Sequence, residues 1–331
     1  MASLIDHLPG ISLPVADVSP MLRTMWDSMM VDRGGDAMSE FRASQLNLIL
    51  HFGLQTTPEE ARANFDTAVA FAQRYPCRII VLCPQEEVSG DEVMTGKLFS
   101  QCYVGPQLRQ VCCCEALILG YAVDDADFLE NQVSLWIETD LPVYHWFHRV
   151  PGSKIEQHYG EFIRQARRIV FDAAMDPGLC EAVEWPEPRR VNNLAHARTL
   201  PLRQNIGQFL SGFMAEDLVA GIETVEIRHD PGFAPQVGPL REWLSGCIET
   251  ASKLAGQTPP RFHVEAAELA HGSTLNLSFG YREAGKYFAW AFREATKSAC
   301  VGCNFGGGGV GQPFHVEPMA PENALAEALF F

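Results

Sequence analysis

The stretch from Asn47 to Leu82 constrains this chain more than any other, because three different patterns follow one another without a gap. Leu48, Leu50 and Phe52 alternate with Asn47, Ile49 and His51, which is the period of a strand. After Gly53 the run Thr57-Pro58-Glu59-Glu60 forms a capping box with proline at the first helical position, so a helix must start there. Ala61, Phe65, Ala68, Val69 and Ala72 give that helix one apolar stripe, and Pro76 ends it before the continuous apolar run Ile79-Ile80-Val81-Leu82. A strand, a helix and a fully buried strand in that order predict a sheet covered by helices.

The same grammar recurs. An apolar strand from about Val111 to Tyr121 is followed by a helix carrying Leu129, Val133, Trp136 and Ile137, and then by a strand over Val143 to Phe147. A further helix over Lys154 to Ala166 leads to the strand Ile169-Val170-Phe171, and Phe99 to Tyr103 offers an antiparallel neighbour to the cysteine-bearing strand. Beyond the Pro- and Gly-containing stretch 176–190, a helical pattern over Asn193 to Phe213 precedes the alternating strand Val225-Glu226-Ile227-Arg228. Leu240, Trp243, Leu244, Cys247 and Ile248 then mark a helix, and Phe262 to Val264 and Leu275 to Phe279 mark strands. The expected fold is therefore α/β with two domains. The first, at 41–180, is a mixed, mostly parallel sheet with flanking helices; the second, at 190–331, is α+β; residues 1–40 form a lead-in with one short helix around Met21 to Met30.

Charge narrows the partners. The 331 residues carry 25 Lys and Arg against 41 Asp and Glu, a formal charge of −16, which repels nucleic-acid phosphates and anionic lipid. Met1 to Pro20 has no Lys or Arg and is interrupted by prolines, unlike a signal peptide, and the longest apolar run, Val111 to Val123, is short and contains Glu115. No nucleic-acid or membrane partner and a cytoplasmic location are expected, with the ten cysteines reduced.

Few residues carry recognisable chemistry. Gly306 to Gly311 satisfies G-x-G-x-x-G in form, but an extended pattern follows, so it reads as a turn and no cofactor is expected. Cys300 and Cys303 form a single C-x-x-C and are the redox candidates. Consecutive Cys112, Cys113 and Cys114 read as strand packing, and His145, His148 and His158 cluster beside Trp146 and Phe147 without a nucleophile or a metal-binding spacing. No catalytic residue and no metal site is expected.

Five ordered segments resemble the OpcA family. They are Tyr75-Pro76-Cys77-Arg78 with the strand after it, Cys114-Glu115, Asp140-Leu141-Pro142 running to Phe147, Arg168 to Asp172, and Asn193 to Arg198 with Pro201-Leu202-Arg203. His196 and Leu202 stand where that family has tryptophans, the mark of a divergent member. The resemblance implies a non-catalytic protein that binds glucose-6-phosphate dehydrogenase, promotes its active oligomer and activates it, feeding the oxidative pentose phosphate pathway through a hetero-oligomer. It makes Arg198 and Arg203 candidates for an interface or anion site, with Trp146 and Phe147 as aromatic anchors, and in some members of that family cysteines are linked to redox control; the equal alternative is that the two arginines join the two domains through carboxylates such as Asp172. The alternatives are a sugar-phosphate- or nucleotide-binding α/β enzyme and a thiol redox sensor.

Overall fold

The structure is a computed structural model that describes residues 3–32, 44–86, 94–104 and 111–331. The end of the expected lead-in, 33–40, lies outside the described residues, as does the side chain of Cys112. The chain forms two compact units: Met1–Leu194 together with Pro321–Phe331, and Ala195–Ala320.

The first unit is built on an eight-stranded sheet. In chain order its strands are β1 (Ile11–Leu13), β2 (Leu46–Phe52), β3 (Cys77–Gln85), β4 (Met94–Val104), β5 (Val111–Ala122), β6 (Val143–His148), β7 (Arg168–Phe171) and β8 (Val191–Asn193). Their spatial order is β1-β4-β5-β3-β2-β6-β7-β8. From β5 to β8 every pairing is parallel; β4 joins β5 antiparallel, as the sequence suggests, and β1 adds antiparallel to β4. Every residue of β2 is buried, because it lies at the centre with helices on both sides of the sheet.

Helix α1 (Val15–Asp32) starts earlier and runs longer than the short helix expected in the lead-in, and Val18 and Leu22 bury one face of it. Helix α2 (Pro58–Arg74) begins as its sequence dictates: Glu60 N donates to Thr57 Oγ1 at 3.2 Å and Thr57 N donates to Glu60 Oε2 at 3.1 Å. Thr57→Ala is expected to cost about 1 kcal/mol in a denaturant titration, the usual worth of such a cap. Helix α3 (Leu129–Ser134) is shorter than its apolar pattern, Trp136 following in a turn.

The helix expected over 154–166 is two helices, α4 (Gly152–His158) and α5 (Gly160–Gln165), broken at Tyr159. Tyr159 leaves helical geometry and its hydroxyl meets that of Tyr121 at 2.6 Å in the core, so a tertiary contact overrides the local period. A short helix, α6 (Leu179–Ala182), completes the connector.

Helix α7 (Leu194–Arg198), which starts on the last residue before the second unit, and α8 (Leu200–Leu210) are separated at Thr199 just before Pro201, whereas the sequence pattern suggests one continuous helix. Helices α9 (Ala215–Val219) and α10 (Ala234–Leu254) follow and pack with a six-stranded sheet. Its strands are β9 (Ile222–His229), β10 (Arg261–Ala266), β11 (Leu275–Tyr281), β12 (Tyr287–Arg293), β13 (Ser298–Asn304) and β14 (Val310–His315), in the order β10-β9-β11-β12-β13-β14. All pairings except β9 with β10 are antiparallel, which bears out the α+β expectation. The glycine run is the turn between β13 and β14, with Gly306 and Gly308 at positive φ.

The final helix, α11 (Pro321–Phe330), belongs to the first unit. Phe330 stacks on Phe71 at 5.9 Å and lies edge-on to Tyr75 and Tyr144, and Asn192 Nδ2 donates to the Ala328 carbonyl at 2.6 Å.

Candidate functional site

Parallel sheets place ligand-facing loops at the carboxyl ends of their strands, above all where the strand order reverses. Here that point lies between β2 and β6: the chain leaves β2 towards β3 and β5, then returns to lay β6 on the other side of β2.

The loops leaving these two strands touch at Gly53. Its N–H donates to the His148 carbonyl at 2.8 Å, and a Cβ there would lie 1.7 Å from the carbonyl oxygen of Arg149, so the two backbones cross only because residue 53 is glycine. Arg149 sits in the left-handed region, φ 56°, where a non-glycine residue needs support from its surroundings. Its N–H donates to Asp176 Oδ2 at 2.8 Å, and its guanidinium donates from Nε and Nη2 to the two carboxylate oxygens of Glu60 at 2.8 and 2.6 Å.

Glu60 therefore serves twice, in the capping box of α2 and as the partner that fixes the β6 loop. The Arg149 hydrogen bonds hold its carboxyl down at about 2. His148 Nε2 is 3.5 Å from Glu60; burial lowers the histidine pKa while Glu60 works against it. Burial also raises the Asp176 pKa, opposed by the Arg149 N–H.

Beneath the loops lies a buried aromatic and histidine layer. His51 Nε2 and His145 Nδ1 are 2.9 Å apart, and His51 stacks on Phe147 with ring centres 4.3 Å apart. Burial lowers both histidine pKa values, that of His145 to about 3, so both rings are neutral at neutral pH. Burial likewise pushes up the Tyr121 and Tyr159 hydroxyls, which bond to each other.

Above this layer opens a cavity of about 170 Å³. Phe52, Leu54, Tyr121, Val150 and Tyr159 give it an apolar wall, and Lys154 stands at its edge.

The residues singled out from sequence fall elsewhere. Trp146 and Phe147 are 3% and 0% exposed on the two faces of β6, inside the core of the first unit. Arg203 donates to Thr199 Oγ1 at 3.1 Å and to the His196 carbonyl at 3.3 Å, closing the end of α7, and Arg198 is half-buried. Cys300 and Cys303 sit three apart on β13, so they face opposite sides of the sheet; Cys303 is buried and Arg293 Nη1 lies 3.6 Å from Cys300 Sγ.

The expectation of uniformly reduced cysteines is corrected: Cys102 and Cys113, opposite each other on the antiparallel β4–β5 pair, form a disulfide. The cysteine run was visible in sequence, but the register that faces Cys113 with Cys102 was not. Sequence reasoning also missed His51, Gly53 and Arg149. The signal for the His51–His145 pair was one histidine on each of two apolar strands, which becomes informative once those strands are neighbours.

Among the described residues no group of three or more His, Cys, Asp or Glu is placed to hold a metal ion, and no helix is long and apolar enough to cross a membrane.

Two of the segments that carry the resemblance meet in this unit. Arg78 and Glu115 stand opposite each other on β3 and β5, and Arg78 Nε donates to Glu115 Oε1 at 2.5 Å. The same guanidinium reaches the Trp136 carbonyl at 2.8 Å and Glu138 Oε1 at 2.6 Å.

Residues 68–185 match the OpcA glucose-6-phosphate dehydrogenase assembly family model, described as the glucose-6-phosphate dehydrogenase subunit N-terminal domain, so the resemblance to that family holds over this stretch. No curated protein sequence matches the chain. Among solved structures, aspartate semialdehyde dehydrogenase II from Vibrio cholerae, complexed with ASA, overlaps 73% of this chain and 74% of its own at 9% identity and a TM-score of 0.31, too slight a likeness to transfer anything.

Proposed function

We propose, from the OpcA-family match of residues 68–185, that this chain binds glucose-6-phosphate dehydrogenase as a non-catalytic assembly factor and raises its activity by favouring the active oligomer. The family match is the observation that carries the reading. The pairing of Arg78 with Glu115 adds to it, because two motifs that carry the resemblance hold one another in the core. A partner of this kind acts by binding the active assembly more tightly than the inactive one, and the difference in affinity sets how far the equilibrium moves.

Arg198 and Arg203 remain the proposed interface residues, both at least partly accessible at the start of the second unit. Redox control through Cys300, Cys303 or the Cys102–Cys113 bridge is part of the same proposal.

Mixing the purified chain with the glucose-6-phosphate dehydrogenase of the same source, and measuring mass and rate, tests the reading. Co-elution as a larger species with a higher rate at low substrate is the expected result. Separate elution and an unchanged rate would remove it.

A further inference from the structure

The cavity at the β2–β6 switch point is lined by neither Arg198 nor Arg203, the proposed contact residues, and its geometry defines what it can hold. A dinucleotide does not fit. The loop after β2 has one glycine, Gly53, and that glycine is spent on the crossing with the Arg149 carbonyl rather than on a phosphate. Cavities of about 150 Å³ with apolar walls take a molecule of the size of benzene. At about 170 Å³ this one has room for a body of one six-membered ring.

The walls decide the chemistry of that body. Phe52, Leu54, Val150 and Tyr159 offer apolar surface, and the Tyr121 and Tyr159 hydroxyls already satisfy each other. A polyol would find few partners against such a lining, where Gln55, Lys154 and His158 are the polar side chains besides the paired Arg149, and each hydroxyl left unpaired costs more than an apolar ring gains.

The rim decides the charge. Arg149 is committed to Glu60 through two short hydrogen bonds, so its charge is matched. Lys154 is different: it is half-buried at the cavity edge, and its hydrogen bond among the described residues goes to the neutral Oε1 of Gln157 at 3.4 Å. In a chain of net charge −16, a cation at an apolar pocket without a carboxylate on it favours an anionic head group.

We propose that this cavity binds a small organic anion, a carboxylate or a phosphate monoester carried on an apolar body no larger than one ring, with Lys154 receiving the charged head. The proposal concerns the chain by itself and stands whether or not the dehydrogenase binds.

Calorimetry and thermal unfolding of the full chain with four probes test it. Benzoate and phenyl phosphate carry body and charge, benzyl alcohol carries the body alone, and inorganic phosphate the charge alone. Saturable binding of benzoate or phenyl phosphate with a dissociation constant at or below about 1 mM is expected, at least tenfold tighter than for benzyl alcohol or phosphate. Which of the two binds better identifies the head group.

Lys154→Met keeps the apolar stem and removes the charge, and is expected to weaken the better probe by about tenfold. Leu54→Trp, on an exposed loop position, fills the mouth and abolishes binding, while Lys253→Met on α10 changes nothing. Absence of saturable binding by both charged ring probes overturns the proposal. So does benzyl alcohol binding as well as benzoate, or Lys154→Met binding like the unaltered chain.

Discussion

Replacing Arg78 by methionine is expected to destabilise the first unit by about 3–5 kcal/mol, the cost of leaving one member of a buried ion pair without its partner. Glu115 is 4% exposed on a strand inside the sheet, so water cannot replace the lost guanidinium. The Trp136 carbonyl and Glu138 each lose the contact with this guanidinium at the same time. The companion experiment is Arg78→Met with Glu115→Leu. Because a well-packed apolar pair often matches a buried ion pair, the double variant is expected to recover most of the loss. Denaturant titrations of both decide the matter: a single variant within 1 kcal/mol of the parent, or a double variant no better than the single, sinks this account of the pair.

Acidification should weaken the same unit through His51 and His145. Both pKa values are lowered by burial, so each ring stays neutral in the folded chain while the unfolded chain takes up a proton as pH falls through about 6.5. A group with a depressed folded pKa therefore contributes fully above its unfolded value, and stability declines as pH falls towards the folded one. For His145, whose folded pKa is about 3, the loss between pH 7 and pH 5 comes to roughly 2 kcal/mol. His51 and His148 shift in the same direction, whereas Glu60, held at about 2, titrates below this window. Hydrogen exchange of the β2 and β6 amides at pH 7 and 5 reads the opening of this unit alone, which suits a chain of two units. Equal opening free energies at the two pH values, or an undiminished slope in His145→Asn, would contradict the mechanism.

These two predictions mark the boundary of what sequence made legible. The elements were readable: the Thr57 capping box, the apolar runs of β3 and β5, and the stripe of α10 each rest on neighbours within a few positions. Pairings across the sheet were not. Arg78 and Glu115 were both visible as motif residues, yet their ion pair exists only because β3 and β5 lie side by side in that register. His51 and His145 are 94 positions apart and meet for the same reason. The crossing at Gly53 needs the return of β6 beside β2, and the break at Tyr159 needs Tyr121 across the core. Local patterns specify which segments are helix or strand, while a site assembled from loops of several strands depends on topology that no local pattern contains.

Helix α11 has a consequence for how the chain comes into being. Its residues Ala324, Leu325, Ala328 and Leu329 are buried against the first unit, although 126 residues of the second unit, Ala195 to Ala320, separate them from the rest of it. During synthesis the first unit therefore emerges with a side of its core uncovered around Phe71, Tyr75 and Tyr144, and it stays so until the whole second unit has left the ribosome. The second unit is contiguous and can fold while it waits. The first is closed only by a helix made after the second.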